Sequence, residues 1–205
     1  MATIVLVRHA TTAATGKRLG GWTPGVHLDA AGVGQAERTA ALLAELPVAA
    51  VYASPLERTQ ETAKLVARPH GLRVRTRRDL GEVDYGDWTD KPLGQLRRRK
   101  LWPVIQHTPS RVTFPGGESI RAMQARAVEA VESLAADHAD ETVVAVSHAD
   151  VIKALLAHFL GMPLDAFQRL VVSPASASVL HLADGHAPVV AACNLTAGPL
   201  QGGRP

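Results

Sequence analysis

Cysteine, aromatic residues and long apolar runs are all scarce in this chain of 205 residues. Cys193 is the only cysteine, which excludes an intrachain disulfide and favours a reducing compartment. Aromatic residues make up only 4 %, so Ala, Val and Leu must build most of the core. No apolar run approaches the roughly 20 residues that span a bilayer, and the N-terminus lacks a signal-peptide pattern. We therefore expect a cytoplasmic protein with no membrane partner.

The remaining composition suits one globular domain. Apolar residues make up 46 %, enough for a full core, and the net charge of +3 is only mildly basic. Such a charge suits an acidic small molecule and does not argue for nucleic acid. We expect residues 1–197 to form a single domain in which 83–117 is an insertion or lid. The Gly/Pro-rich residues 198–205 are expected to be a disordered tail.

Short apolar strands alternate with amphipathic helices along the chain, a pattern typical of α/β proteins. The continuous β-branched run at 142–146 predicts a central parallel strand, and 72–74 predicts an edge strand. Ser54, Pro55 and Glu57 match a capping box, so a helix is predicted to begin there. Other helices are predicted over 29–46, 92–100, 118–138 and 151–160, a terminal hairpin over 178–193, and a loop without regular structure over 103–117.

Ionisable side chains follow three of the predicted strands. Arg8 and His9 end the first strand, His148 ends the strand at 142–146, and Arg58 lies in the first turn after the strand at 49–53. Each residue alone is more simply explained as a solvated cap or surface charge. Because open α/β sheets bind ligands beyond the carboxyl ends of their strands, we expect these side chains to meet at one edge.

An acidic segment and a loop of small residues complete the candidate site. Glu82 lies among Asp79, Asp84 and Asp87, a cluster that indicates either a solvated loop or a site that needs an acid. The loop at 11–27 is rich in Gly and Thr and could wrap an anion. The basic run at 97–100 is interpreted as a solvated helix face.

Two arginines and two imidazoles suit a tetrahedral dianion, as phosphoryl transfer requires. The sequence has no metal-ligand spacing such as His-x-x-x-His, so the nucleophile must come from a side chain. A neutral imidazole can attack phosphorus and form a phosphohistidine, and a nearby carboxylic acid can protonate the leaving oxygen.

With these motifs the chain resembles the histidine phosphatase superfamily, in its phosphoglycerate mutase-like branch and as a phosphatase-type member. The resemblance covers about residues 3–160 and rests on these segments in family order: Leu-Val-Arg-His-Ala at 6–10, Leu-Asp-Ala-Ala-Gly at 28–32 with Gln35-Ala36, Ala-Ser-Pro-Leu-Glu-Arg-Thr-Gln-Glu-Thr-Ala at 53–63, Gly-Glu-Val-Asp-Tyr-Gly-Asp-Trp at 81–88, Phe-Pro-Gly-Gly-Glu-Ser at 114–119 and Val-Ser-His-Ala at 146–149.

The resemblance implies a three-layer α/β/α sandwich with a mixed, mostly parallel sheet. It implies His9 as nucleophile, Glu82 as proton donor, and Arg8, Arg58 and His148 as the phosphate pocket, with no metal and no organic cofactor. The family pattern differs at Ala10, where Gly is usual, at 88–90, where Trp-Glu-Gly reads Trp-Thr-Asp, and at Thr15, where an Asn often touches the phosphate. A hydroxyl can still donate, so Thr15 is kept as a phosphate contact.

Three functions stay open at this stage. The leading one is a phosphomonoesterase that acts through a phosphohistidine on a small phosphorylated metabolite. A phosphoglycerate mutase-type phosphomutase uses the same chemistry, although the segment between Trp88 and Phe114 is short for a mutase. The third is a non-catalytic module that binds phospho-ligands. A homodimer paired through a sheet edge is a further expectation.

Overall fold

A six-stranded mixed sheet forms the centre of the computed structural model, which describes residues 1–198. The strand order is β3-β2-β4-β1-β5-β6, and β3, β2, β4 and β1 run parallel while β5 and β6 are antiparallel to their neighbours. The strands are β1 (Ala2–Arg8), β2 (Val48–Ala53), β3 (Val74–Thr76), β4 (Thr142–Ser147), β5 (Ala177–Leu182) and β6 (Val189–Leu195). The predicted mixed, mostly parallel sheet is confirmed.

Helices cover both faces of this sheet. Their ranges are α1 (Ala30–Leu43), α2 (Glu57–Ala67), α3 (Leu93–Leu96), α4 (Leu101–His107), α5 (Ile120–Asp137) and α6 (Ala149–Phe159). Alternate residues of β1 point to opposite faces, as in any strand. Val5 and Val7 pack in the core cluster with α1 and α2, whereas Ile4 and Leu6 pack in the cluster with α5 and α6. The predicted three-layer α/β/α sandwich is thus confirmed.

The predicted helix start at Ser54 is wrong. The second helix begins at Glu57, with Leu56 at its N-cap and no side-chain cap. The backbone N–H of Ser54 still bonds the carbonyl of Val146, so the chain remains extended beside β4 there. The Ser54 hydroxyl accepts the N–H of Leu56 at 3.4 Å and also has a second partner, described below.

The segment between Trp88 and Phe114 holds more helix than predicted. The expected loop over 103–117 contains α4 and a 3₁₀ turn over Pro109–Arg111. Pro103 lies in the first turn of α4, where no intrahelical N–H bond is lost, and Ile105 is buried in the core. The helix predicted over 92–100 shrinks to α3. The role of 83–117 as an insertion or lid stays a prediction.

Smaller differences concern element ends. Asp29 caps α1 as predicted, through its carboxylate and the N–H of Gly32, but Val33 is exposed and α1 ends at Leu43. The edge strand β3 begins at Val74 and not at residue 72. The terminal hairpin is confirmed, whereas residues 199–205 of the predicted tail lie outside the described residues. Within residues 1–198, no helix has the length and apolar character that crossing a bilayer requires.

Candidate active site

The carboxyl ends of β1 and β4 bring two histidines side by side. Arg8 pairs with Ser147 in the parallel register, so the next residues, His9 and His148, are neighbours. Their ring centroids lie 5.2 Å apart at an interplanar angle of 62°. Arg58 reaches the same edge from the first turn of α2, close enough for its Nη2 to lie 3.4 Å from His148 Nδ1. The predicted convergence at one sheet edge is what the structure shows.

A cavity of about 270 Å³ opens at this edge. Its lining includes Arg8, His9, Thr15, Arg58 and Glu82 from the predicted set. His148 is fully buried beneath this lining and does not itself border the cavity. A ligand in this cavity would therefore meet His9 directly, and a phosphate oxygen would have to reach beneath the lining to contact His148.

His9 is held in one tautomer by its own backbone. Its Nδ1 lies 2.8 Å from the carbonyl oxygen of Ala10. Because a carbonyl oxygen only accepts, Nδ1 carries the proton, and Nε2 keeps its lone pair. Burial and the positive charges of Arg58 and Arg8 lower the pKa of His9 well below its ordinary value. The ring is therefore neutral at physiological pH, as a nucleophile must be.

The two arginines keep donors available for an anion. Arg58 Nη2 donates to the carbonyl of Gly21 at 2.8 Å, and Arg8 Nη1 donates to that of Val172 at 2.6 Å. Arg58 Nη1 and Arg8 Nε are buried and find no partner within the described part of the chain. Burial lowers the pKa of both guanidinium groups, which still stay charged in proteins. A phosphate oxygen would satisfy these orphaned donors, which are costly to leave unpaired.

His148 is held by side chains. A hydrogen bond of 2.9 Å joins its Nε2 to Ser54 Oγ, and its Nδ1 lies 3.8 Å from Glu82 Oε2. Burial first, and then the positive charge of Arg58, lower the pKa of His148 well below its ordinary value. Arg58 Nη2 can only donate, so its contact with Nδ1 makes Nδ1 the acceptor and Nε2 the donor to Ser54 Oγ in this structure. Since a hydroxyl both donates and accepts, Ser54 is also compatible with the other tautomer.

Glu82 has the environment of a general acid. Burial, followed by the charge of Asp150, raises the pKa of its carboxyl from 4.5 to about 7, against the opposing charge of Arg58. Its Oε1 accepts the N–H of Val83 at 3.0 Å. A carboxyl with a pKa near the working pH is well matched to giving and taking a proton.

Arg126 and Trp22 hold the backbone at Glu82, and neither was predicted as a site residue. The carbonyl of Glu82 accepts from Trp22 Nε1 at 2.7 Å and from Arg126 Nη2 at 3.0 Å. Arg126 Nη1 also donates to the carbonyls of Asp79 and Gly81, at 2.8 and 2.9 Å. Arg126 is one polar residue of the amphipathic helix α5, and no spacing in the sequence connects it to residue 82.

The acidic segment is fixed further by a close backbone crossing. Gly86 has φ +50°, and a Cβ there would lie 2.3 Å from the carbonyl oxygen of Pro115. A Cβ on Gly117 would lie 2.2 Å from the carbonyl oxygen of Asp84. Only glycines allow the two segments to approach this closely. Glu118, next in the chain, accepts the N–H of Asp84 and pairs with Arg126, so the crossing and the arginine brace the same segment.

The other acids near Glu82 point elsewhere. Asp79 pairs with Arg77 at 2.7 Å, and Asp84 accepts the N–H of Gly86. Asp87 is exposed. Asp150, two residues after His148, differs from these three acids because it borders the same cavity as Glu82.

Thr15 borders the cavity, and its hydroxyl is shared with Thr12. Thr15 Oγ1 accepts the N–H of Thr12 at 2.9 Å and lies 3.1 Å from Thr12 Oγ1. A contact between Thr15 and phosphate stays a prediction.

Ala10, where the family usually has Gly, fits the structure because its methyl packs with Ala36 and Ala175 in a cluster of small side chains.

Two other features fail as phosphate sites. The basic residues 97–100 are exposed and border none of the catalytic cavity. A larger cavity of about 690 Å³ lies on the far side of the acidic segment, but its lining balances three arginines with three carboxylates. Arg77 and Arg126 are already ion-paired there. Among residues 1–198, no three His, Cys, Asp or Glu side chains gather as a metal-ligand set.

The chain is similar to known phosphatases along most of its length. It is 30 % identical over 189 residues to phosphoserine phosphatase 1 of Hydrogenobacter thermophilus, covering 89 % of this chain and 87 % of that one. The structure of Bacillus stearothermophilus YhfR superposes with a TM-score of 0.87 at 30 % identity, covering 94 % and 96 % of the two chains.

A mycobacterial glucosyl-3-phosphoglycerate phosphatase structure gives a TM-score of 0.84 at 26 % identity, covering 95 % and 99 % of the two chains. The model of the histidine phosphatase superfamily (branch 1) matches residues 4–195. Because that match spans nearly the whole chain and the site geometry agrees with it, the protein belongs to the histidine phosphatase superfamily.

Proposed function

We propose that the protein is a phosphomonoesterase that works through a phosphohistidine at His9. The observation that carries the proposal is the lone pair of His9 Nε2, which is set by the bond from Nδ1 to the Ala10 carbonyl, at the border of a cavity with unpaired arginine donors. Imidazole in this state attacks phosphorus without first losing a proton.

In the first step, His9 Nε2 forms a bond to phosphorus as the ester P–O bond breaks. The leaving oxygen takes the proton of Glu82, whose pKa near 7 keeps part of the carboxyl protonated at neutral pH. Arg8, Arg58 and His148 bind the equatorial oxygens, where charge develops in the transition state. In the second step Glu82 takes a proton from water, which attacks phosphorus, breaks the N–P bond and releases phosphate.

The substrate proposed is a small phosphorylated metabolite. The relatives named above are phosphatases of phosphoserine and of glucosyl-3-phosphoglycerate, both phosphomonoesters of small molecules. A cavity of about 270 Å³ lies at the small end of ligand pockets. No metal and no organic cofactor enter the proposed steps.

A phosphomutase needs a further set of cations for the second anionic group of its intermediate. The candidates for that role, Arg97 to Lys100, border none of the cavity. This observation favours hydrolysis over isomerisation. The cytoplasmic location and the homodimer stay predictions, the latter with β3 and β6 as the sheet edges available for pairing.

The deciding experiment incubates the purified protein with 3-phosphoglycerate and with a generic phosphomonoester. Release of inorganic phosphate from either, together with an acid-labile phosphoenzyme in quenched samples, supports the proposal. Conversion to 2-phosphoglycerate without phosphate release would show a mutase. Saturable phosphate binding with no phosphoenzyme and no turnover would show a binding module.

A further inference from the structure

Two neighbouring cavities share part of their lining, and none of the shared residues is an arginine. A second cavity of about 190 Å³ shares Leu19, Tyr85 and Asp150 with the catalytic cavity. The rest of its lining is mainly apolar and aromatic: Trp88, Trp102, Ile105, Phe114, Gln106 and Gln168. A leaving group that extends from the phosphate site in this direction passes the Asp150 carboxylate.

Asp150 keeps acceptor capacity toward the cavity. It lies in the first turn of α6, two residues after His148, and its side chain is 25 % exposed. The hydroxyl of Tyr85 donates to its Oδ2 at 3.1 Å, and Lys153 Nζ lies 3.8 Å from its Oδ1. An ionised carboxylate offers about four lone-pair sites, so these two neighbours leave room for another donor.

The charged residues of the catalytic cavity differ in whether they also border the second cavity. Arg8, Arg58, His9 and Glu82 line the catalytic cavity alone, whereas Asp150 and Tyr85 line both. Arg18 also borders the cavity, but Asp90 holds its guanidinium at two points, 2.7 and 3.0 Å. Lys153 borders neither cavity and is bound to Gln168 as well. No uncommitted cation within the described residues faces the leaving-group side.

Resting on the proposed phosphatase activity, we propose that Asp150 selects the alcohol part of the substrate. It favours phosphomonoesters whose alcohol carries a hydrogen-bond donor, a hydroxyl or an ammonium group, and it disfavours those with a second anion near the ester. A carboxylate or second phosphate placed beside Asp150 meets like charge in a partly desolvated site, where charge pairs act strongly.

Three esters of similar size test this selection: 2-aminoethyl phosphate, 2-hydroxyethyl phosphate and carboxymethyl phosphate. The readout is kcat/KM for phosphate release by the wild-type protein and by Asp150→Asn, which keeps the side-chain shape and the Tyr85 bond. The expected wild-type preference is for the ammonium and hydroxyl esters. Asp150→Asn is expected to shift the ratio of aminoethyl to carboxymethyl ester about tenfold toward the carboxylate.

Comparing the ratio of aminoethyl to carboxymethyl ester in Asp150→Asn with the same ratio in the wild-type protein isolates the effect of the Asp150 charge. Intrinsic differences in ester reactivity cancel in it, and so does any change at Glu82 that acts on all three esters. Lys153→Met is the matched control, because removing a cation beside Asp150 is expected to move the same ratio in the opposite direction. If Asp150 had a purely structural role, the two variants would not shift this ratio in opposite directions.

The outcomes separate the two proposals. No phosphate release from any ester would overturn the proposed function itself. Turnover with a ratio that stays unchanged in both variants would leave the phosphatase intact and overturn the role of Asp150. Circular dichroism and the melting temperature of each variant identify a misfolded protein, and Asp150→Ser then replaces Asp150→Asn as a second variant without the charge.

Discussion

The ends of β1 and β4 carry the same residue type at neighbouring positions, yet they fix it in different ways. His9 follows β1 and is held through Nδ1 by a backbone carbonyl, while its Nε2 faces the cavity. His148 follows β4, is fully buried and is held through Nε2 by the hydroxyl of Ser54. A carbonyl permits one tautomer, whereas a hydroxyl permits two. Strand-end placement alone thus does not decide what a histidine does; its hydrogen-bond partner does.

The difference assigns separate roles to the two rings. His9, with a fixed lone pair on Nε2, is suited to bond formation with phosphorus. His148, with an adaptable tautomer and Glu82 at 3.8 Å, is suited to hydrogen bonding with a phosphate oxygen whose charge changes during the reaction. Four substitutions test this division, starting with the largest expected effect.

Replacing His9 by Ala removes the proposed nucleophile. Turnover is expected to fall by about 10³-fold or more, and the acid-labile phosphoenzyme should disappear, because no other imidazole among residues 1–198 lines the cavity. Phosphate release and a quenched-flow assay for the phosphoenzyme measure both effects. Turnover close to that of the wild type would show that the β1 end does not supply the nucleophile.

Replacing Glu82 by Gln removes the proposed proton donor but leaves the proposed nucleophile. We expect a loss of about 10²-fold or more for esters with poor leaving groups, and a smaller loss for activated aryl esters. Equal losses for both substrate types would instead indicate a role in binding.

The raised pKa of Glu82 also predicts two pH effects. Wild-type turnover of poor leaving groups should decline as the pH rises through about 7, where the carboxyl loses its proton. The native state binds this proton more tightly than the unfolded chain does, so its stabilising effect is full below pH 4.5 and is lost as the pH rises to about 7. Glu82→Gln should therefore gain melting temperature relative to wild type at pH 8 but not at pH 4.5.

Replacing His148 by Ala should cost about 10²-fold in turnover, the scale for one lost donor to a transition-state oxyanion. The phosphoenzyme should still form, more slowly, because His9 keeps its own partner. A variant that forms no phosphoenzyme although it folds and binds phosphate would abolish the distinction between the two strand ends.

Replacing Ser54 by Ala removes the hydrogen bond between Ser54 and His148 and should have the smallest effect. We expect a loss of up to about tenfold, since His148 remains but is less well oriented. Ser54→Thr keeps the hydroxyl and is the matched control, expected to retain most activity. Steady-state kinetics on both variants measure the difference. An equal loss in Ser54→Thr would assign the effect to packing and not to the hydrogen bond.

Features carried by contiguous motifs could be predicted from the sequence. The strands, the positions of His9, Arg58 and His148 after them, and the long helix α5 all follow local patterns. Ser54 was misjudged because its spacing to Glu57 matches a helix cap, while its actual partner lies 94 residues away. Contacts across such distances depend on packing, which no local pattern encodes.

Contacts between distant segments also explain why the sequence does not predict where Arg126 and Asp150 lie in the site. Arg126 reaches the backbone at Gly81, 45 residues earlier in the chain. Asp150 acquires its setting from Tyr85, 65 residues earlier, and from a cavity that exists only in the folded chain. Helix α4 was missed because Pro103, usually a helix breaker, lies in its first turn, where it is tolerated.

The carbonyl of Ala10 has a consequence for how this protein can diverge over time. Every amino acid has a backbone carbonyl, so a change of residue 10 leaves the tautomer of His9 untouched. Position 10 is limited by the space that Ala36 and Ala175 leave for its side chain, and by the N–H that it donates to Thr62 Oγ1 at 3.1 Å. At Ser54 the group that holds His148 is the side-chain hydroxyl, so a single substitution can remove it. Substitutions at residue 10, beside His9, should therefore be tolerated more readily during evolution than substitutions at Ser54, beside His148.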